Sequence, residues 1–212
     1  MKAKLLCLIS GGIDSAVACY MMIKRGFDMV LLHLSNWPYS DKKNIGKVET
    51  LAKLLRGFYD QPLKLYIAGH GANQTEIMRN CDRHLTCVLC RRFMYRTGEQ
   101  IAAKEGCQAL VTGESIGQVA SQTLKNLRAI SSAVSIPILR PLIGLDKQEI
   151  MDIAKQIGTY DISISPGLCC TAVPSKPATS TEPVRVIREE GKLHVEEMMQ
   201  KTLGSVELRL IS

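Results

Sequence analysis

The sequence predicts an α/β fold, a Rossmann-like parallel sheet with helices on both faces. Three observations carry that prediction. Short apolar runs alternate with segments of helical periodicity through most of the 212 residues. The composition, 46% hydrophobic and 22% charged, suits one sizeable core. A Gly-Gly turn sits between the first apolar run and the first helical segment, where such folds place their ligand loops.

Residues 4–9 form the first strand, and a helix over about residues 15–25 follows, with Gly26 as its C-terminal stop. Residues 29–34 are the second strand. Ile45, Val48, Leu51, Ala52 and Leu55 recur at helical spacing and predict an amphipathic crossover helix. Residues 63–67 are the third strand. A helix follows Cys87-Val88-Leu89-Cys90 and runs to about Lys104, and residues 109–112 are the fourth strand. Asp146, with Glu149 three residues later, starts a capping-box helix that ends at Gly158. Residues 161–184, rich in Ser, Pro and Thr, read as a loop. From Val184 the tail predicts a strand, a helix around residues 195–203 and an alternating strand over 206–211. The main domain is thus expected over residues 1–181, with 182–212 an extension packed on it. Strands separated by helices imply right-handed parallel crossovers, and ligands of such sheets bind beyond the carboxyl ends of the strands. His33, Thr112-Gly113, the Ser10 to Ser15 loop and the polar-sited cysteines should therefore share one face.

No stretch approaches the roughly 20 apolar residues of a membrane helix. The N-terminus is basic and then apolar, yet it lacks a small-residue cleavage pattern, so it reads as a buried strand of a cytoplasmic protein. The formal charge of +7 favours polyanionic partners. Eight cysteines in a chain of this size point to reduced, metal-bound or catalytic thiols rather than a disulfide scaffold. Cys7 and Cys19 sit in apolar runs as core residues; Cys81, Cys87, Cys90, Cys169 and Cys170 lie among polar residues and turns.

The motif that decides the class is Ser10-Gly11-Gly12-Ile13-Asp14-Ser15. Its glycines let the backbone turn sharply and approach a ligand. Ser10, Ser15 and the free amides of the helix start can cradle an anion. A carboxylate in such a loop would repel phosphate unless it serves Mg²⁺ or orients a nucleophile. Asp14 therefore suits a polyphosphate with its metal. The Walker pattern is absent, and Gly69-His70-Gly71 lacks the third glycine of a dinucleotide loop.

SGGIDS is similar to the PP-loop of the ATP pyrophosphatases, which cleave ATP between the α- and β-phosphates to adenylate a substrate. The segments TGESIGQVASQTL from Thr112, RPLIGLDK from Arg140 and IGTYDISI from Ile157 resemble those of the tRNA 4-thiouridine synthetases. So do the Cys169-Cys170-Thr171 turn and the tail through Val206-Glu207-Leu208, and the resemblance spans essentially the whole chain. It implies an ATP-dependent tRNA sulfurtransferase that adenylates the carbonyl of the uridine at tRNA position 8 and then inserts sulfur. It also implies that Ser10, Gly11, Gly12, Asp14 and Ser15 hold the pyrophosphate with Mg²⁺, and that Leu8, Ile9, His33 and Leu34 take the adenosine side. Leu8, Ile9 and Leu34 are core residues on any reading and could offer only backbone. Arg91, Gly113 and Gln122 match further nucleotide-binding positions, although Arg91 beside Arg92 also fits a solvated helix face.

Cys169 matches the family position that partners the sulfur-donating persulfide, with Cys170 beside it. Cys87-x-x-Cys90 departs from many bacterial members; with Cys169 or Cys170 it supplies three thiolates, as in the iron–sulfur-dependent branch, for a 4Fe–4S or 3Fe–4S cluster. A zinc site using Cys81, Cys87, Cys90 and Cys169 and a metal-free redox pair stay open. The family usually carries an N-terminal THUMP-containing region and in some members a rhodanese-like domain, whereas this sequence starts with the catalytic part. A separate THUMP-type partner, or the basic surface, is therefore expected to bring tRNA. The sulfur donor would be sulfide or a persulfide-carrying protein, and a homodimer is a candidate assembly. Two other functions compete: adenylation of another acceptor, and a non-catalytic nucleotide-responsive metal or sulfur carrier.

Overall fold

Leu5, Leu6 and Cys7 are buried on both sides of the backbone, which requires neighbouring strands on both edges and cover on both faces. A computed structural model, which describes residues 2–167 and 170–212, shows how that is met. β1 (Lys4–Leu8) lies parallel between β2 (Asp28–Ser35) and β4 (Ala109–Val111). β3 (Leu63–Gly69) extends the sheet beyond β2, and the two-residue β5 (Ile138–Leu139) extends it beyond β4. The final strand, β6 (Glu207–Ile211), runs antiparallel along β3, with Leu63 opposite Ile211. The order is β5-β4-β1-β2-β3-β6, so a parallel core carries one antiparallel edge.

Alternation along the strands divides the core. Leu5, Cys7, Met29 and Leu31 face α1 (Ile13–Lys24), α2 (Lys43–Arg56) and α6 (Lys147–Gln156), where Val17, Leu51 and Ile150 are fully buried. Leu6, Val30 and Leu32 face the other layer, built on α4 (Thr86–Glu105) with Phe93 and Ile101 at its centre. α5 (Leu124–Ser131), α8 (Pro183–Glu190) and α9 (Val195–Gly204) complete that layer through Ala129, Val186 and Met198. Burying each of these large side chains contributes about 1.5–3 kcal/mol.

The capping box at α6 forms as expected: the Asp146 carboxylate accepts from the Glu149 amide at 2.8 Å and Glu149 accepts from the Asp146 amide at 2.7 Å. The strand expected from Val184 is instead helix α8. Pro183 presets its first turn, and Val186, Glu189 and Glu190, three and four apart, are the residues it buries. Residues 161–184 are not wholly loop either, because α7 (Tyr160–Ile164) runs into them. Three elements had no visible sequence signal. α3 (Gly71–Asn80) buries Asn73 and Gln74 beside a single large apolar residue, Ile77, and α5 and β5 are short. Gly71 has no alternative, since a β-carbon there would lie 1.7 Å from the Trp37 carbonyl oxygen. Among the described residues no helix is long and apolar enough to cross a membrane.

Candidate nucleotide site

Where β1, β2 and β4 end, their loops enclose a cleft of about 630 Å³. The Ser10 to Ser15 turn forms its floor and is held by its own hydroxyls. The Ser10 amide donates to Ser15 Oγ at 2.9 Å, the two hydroxyls lie 3.0 Å apart, and the Gly12 amide donates to Ser10 Oγ at 3.3 Å. Gly12, at the N-cap of α1, has no side chain to cap the helix, so the first amides of α1 and their dipole open towards a ligand.

Gly113 explains how β4 reaches this turn. A β-carbon there would stand 2.6 Å from both the Asp14 carbonyl carbon and the Ser15 nitrogen. Only glycine lets the loop after β4 rest on the Asp14–Ser15 backbone. Asp14 Oδ1 accepts from Lys147 Nζ at 2.6 Å. Lys147 is not among the site residues the sequence predicts; its signal is its place directly after the capping residue Asp146, which aims the start of α6 at Asp14. Gly11 packs against Lys47, whose Nζ donates to the Ser163 and Ser165 carbonyls at 3.2 and 2.8 Å.

His33 and Gln122 add the polar wall. His33 Nδ1–H donates to the Ile9 carbonyl at 3.0 Å. That leaves Nε2 a buried acceptor with no partner among the described residues, and Gln122 Oε1 is in the same condition. Burial pushes the His33 imidazole down, with the Ile9 carbonyl opposing. Leu8, Ile9 and Leu34 reach the cleft as well.

Arg91 is not part of a solvated face. It lines the cleft and donates to Glu114 Oε1 at 2.6 Å, while its neighbour Arg92 is 2% exposed and ion-paired to Glu190. Glu114 also accepts from Arg140 Nε and Tyr95 Oη, each at 2.6 Å, and from Thr112 Oγ1 at 3.1 Å. Burial alone would raise this carboxyl, but Arg91 and Arg140 hold it below the usual carboxylate range. All twelve residues expected to touch nucleotide (Leu8, Ile9, Ser10, Gly11, Gly12, Asp14, Ser15, His33, Leu34, Arg91, Gly113 and Gln122) line this one cleft, as does Cys170.

The cysteines divide. Cys87 and Cys90 occupy the start of α4. Burial raises both thiols and the nearby Cys170 raises them further, with Arg91 opposing. His70 Nε2 lies 3.3 Å from Cys90 Sγ. The Asn73 amide group faces His70 Nδ1 at 3.3 Å, so Nδ1 accepts and Nε2–H points at the sulfur. Burial pushes His70 down to about 4. Cys81 stands apart: its thiol donates to the Glu189 carbonyl at 3.3 Å, among Glu189, Lys192 and Asp82. Cys169 lies outside the described residues. Among the described residues no group of three or more His, Cys, Asp and Glu side chains is assembled to hold a metal ion.

A mostly parallel sheet whose first strand opens into a hydroxyl-braced glycine turn at a helix N-terminus is the architecture of the PP-loop adenine nucleotide α-hydrolases. Within that class the chain belongs to the ThiI family: the model described as "Thiamine biosynthesis protein (ThiI)" matches residues 1–195. A probable tRNA sulfurtransferase of Alkaliphilus metalliredigens is 43% identical across 100% of this chain and 54% of its own length. One from Methanothermobacter thermautotrophicus is 45% identical over 92% of this chain and 51% of its own. The chain thus spans about half the length of the curated relatives it matches. A solved 4-thiouridine synthetase–RNA complex with bound ATP superimposes with TM-score 0.96 at 36% identity, covering 99% of this chain and 55% of that one. NMN synthetase from Francisella tularensis, at TM-score 0.61 and 14% identity, shares the fold.

Proposed function

We propose that the protein is an ATP-dependent tRNA sulfurtransferase that adenylates a uridine carbonyl, that of the nucleotide at position 8, and replaces its oxygen with sulfur. The observation that carries this reading is the convergence in one cleft of a phosphate-cradling turn, an acidic residue within it and buried polar atoms of His33, Asn36, Gln122 and Ser163 that have no partner among the described residues. The family relatives and the ATP- and RNA-bound neighbour support it. A uridine oxygen is a poor leaving group. Its attack on the α-phosphorus forms an O4–P bond, breaks the bond to the β-phosphate and releases pyrophosphate; sulfur then displaces AMP.

Ser10, Gly11, Gly12, Ser15 and the α1 amides would hold the departing pyrophosphate, with Lys147 within reach of the same negative charge. Asp14 is the residue suited to Mg²⁺, which when bound offsets the triphosphate charge. The adenosine would meet His33 Nε2 and Gln122 Oε1, acceptors that satisfy amino or hydroxyl donors. Cys169, with Cys170 beside it, is the sulfur-transfer residue. Cys87 and Cys90, with Cys169 or Cys170, are the soft donors that would hold an iron–sulfur cluster, or zinc, once brought together, and the raised thiols would deprotonate on ligation. Such a centre would supply an open coordination position for sulfur.

The remaining parts of the reading are a catalytic domain over residues 1–181 with its extension over 182–212, a cytoplasmic location, and a THUMP-type protein presenting tRNA. Sulfide or a persulfide carrier as donor and a homodimer complete it. Anaerobic incubation with ATP, sulfide and unmodified tRNA tests it. RNA-dependent AMP and pyrophosphate with thiolated uridine is the expected result. Turnover only with another acceptor would move the assignment to a different adenylating enzyme, and nucleotide binding without turnover to a carrier.

A further inference from the structure

We infer that Glu114 is a positioning residue for the nucleotide chemistry: a buried carboxylate that sets the Arg91 guanidinium against the cleft. This rests on the nucleotide reading of that cleft. Glu114 is 3% exposed and both its oxygens are occupied by protein donors. Oε1 takes Arg91, and Oε2 takes Arg140, Tyr95 and Thr112. With four protein donors across its two oxygens, it is a fixed carboxylate rather than a free base. Its remaining use is to direct its donors.

The donors differ in what they can reach. Arg140 is turned away, its Nη2 donating to Ser131 Oγ at 2.8 Å. Among the described residues Arg91 bonds to Glu114 alone, through one of the five N–H groups a guanidinium carries. The others are available to an anion in the cleft that Arg91 lines. Glu114 follows Gly113, the residue whose missing side chain lets this loop lie on the Asp14–Ser15 backbone. The clamp is therefore built onto the same backbone contact that shapes the phosphate turn, and it fixes Arg91 relative to that turn before ligand arrives. Two cations share one carboxylate, so the trio keeps one net positive charge. Neutralising Glu114 leaves Arg91 and Arg140 to repel each other and frees a long side chain that binding must then order.

The test is calorimetric titration of the full chain with ATP and Mg²⁺ in a double-mutant cycle. Glu114→Gln should weaken ATP binding about tenfold, and Arg91→Ala comparably, each losing a charge-assisted contact or its alignment. In the Arg91→Ala background, Glu114→Gln should change affinity by no more than about twofold. A structural role alone would give the same loss in both backgrounds, and that result, or no loss in either, overturns the inference while the nucleotide reading stands. Failure of the unaltered protein to bind ATP overturns both. Should Glu114→Gln not fold, Glu114→Asp keeps the charge, shortens the reach to Arg91, and is judged by the same cycle.

Discussion

At the residue scale the Ser10 to Ser15 turn is governed by small groups in tight quarters. Ser10 and Ser15 brace each other, Asp14 is held by Lys147, and no bulky side chain intervenes. Asp14→Ala should lower pyrophosphate release by on the order of a hundredfold or more while the fold is kept, as read by a coupled pyrophosphate assay and far-UV circular dichroism. Cys169→Ala should leave pyrophosphate release in place and stop thiouridine formation; thiolation surviving that change would remove Cys169 from the sulfur path. Gly113→Ala places a methyl 2.6 Å from the Asp14–Ser15 backbone. Because neither neighbour can rotate away, a loss of about 1–3 kcal/mol in urea unfolding and of ATP affinity is expected. The turn and Asp14 were legible from residue type alone. Arg91 was legible only through resemblance, because one arginine beside another looks the same on a solvated face and in a cleft.

At the element scale, α8 is tied to α4 by charge. Arg92 donates to Glu190 from Nε at 3.1 Å and from Nη2 at 2.6 Å, and Arg96 reaches the same carboxylate at 2.8 Å. Removing one partner of so buried a pair strands the other charge. Arg92→Leu should therefore cost about 3 kcal/mol in chemical denaturation, and Arg92→Met with Glu190→Gln should recover part of that loss. This pairing also explains the misread tail. Val184-Arg185-Val186-Ile187 is as compatible with a strand as with a helix, and what decides is that Val186 and Glu190 must reach α4 and its neighbours together. α3 escaped notice for a related reason. Its buried face is mostly polar, with Asn73 donating to Thr202 Oγ1 at 2.7 Å and Ile77 the one large apolar residue, so hydrophobic periodicity has little to register.

At the scale of the whole molecule, stability should follow its buried ionisable groups. Glu190 and Glu114 are raised by burial, but their arginines outweigh this and leave both carboxyls below the unfolded range. Their contribution is complete above the unfolded carboxylate pKa of about 4.3 and is lost as pH falls through the lower folded values. His70, pushed down to about 4, and His33, also depressed by burial, act from higher pH, because the unfolded chain takes up protons near 6.5 that the folded one refuses. Urea midpoints measured from pH 7 to 3 should decline below about 6.5 through the histidines and go on falling below about 4.3 through the carboxylates. A midpoint that stayed flat to pH 3 would contradict these assignments.

The sequence by itself determined the parallel α/β core, the glycine turn at the end of its first strand and the capping box at Asp146. Each is encoded by neighbours in the chain, where periodicity, glycine placement and cap spacing act over a few residues. Only the tertiary structure decided that β6 closes the sheet antiparallel on β3, that α8 is a helix, and that Lys147, Arg91 and Glu114 meet around one cleft. Those outcomes depend on contacts between segments far apart in the chain, where burial and charge pairing choose among local conformations of similar energy.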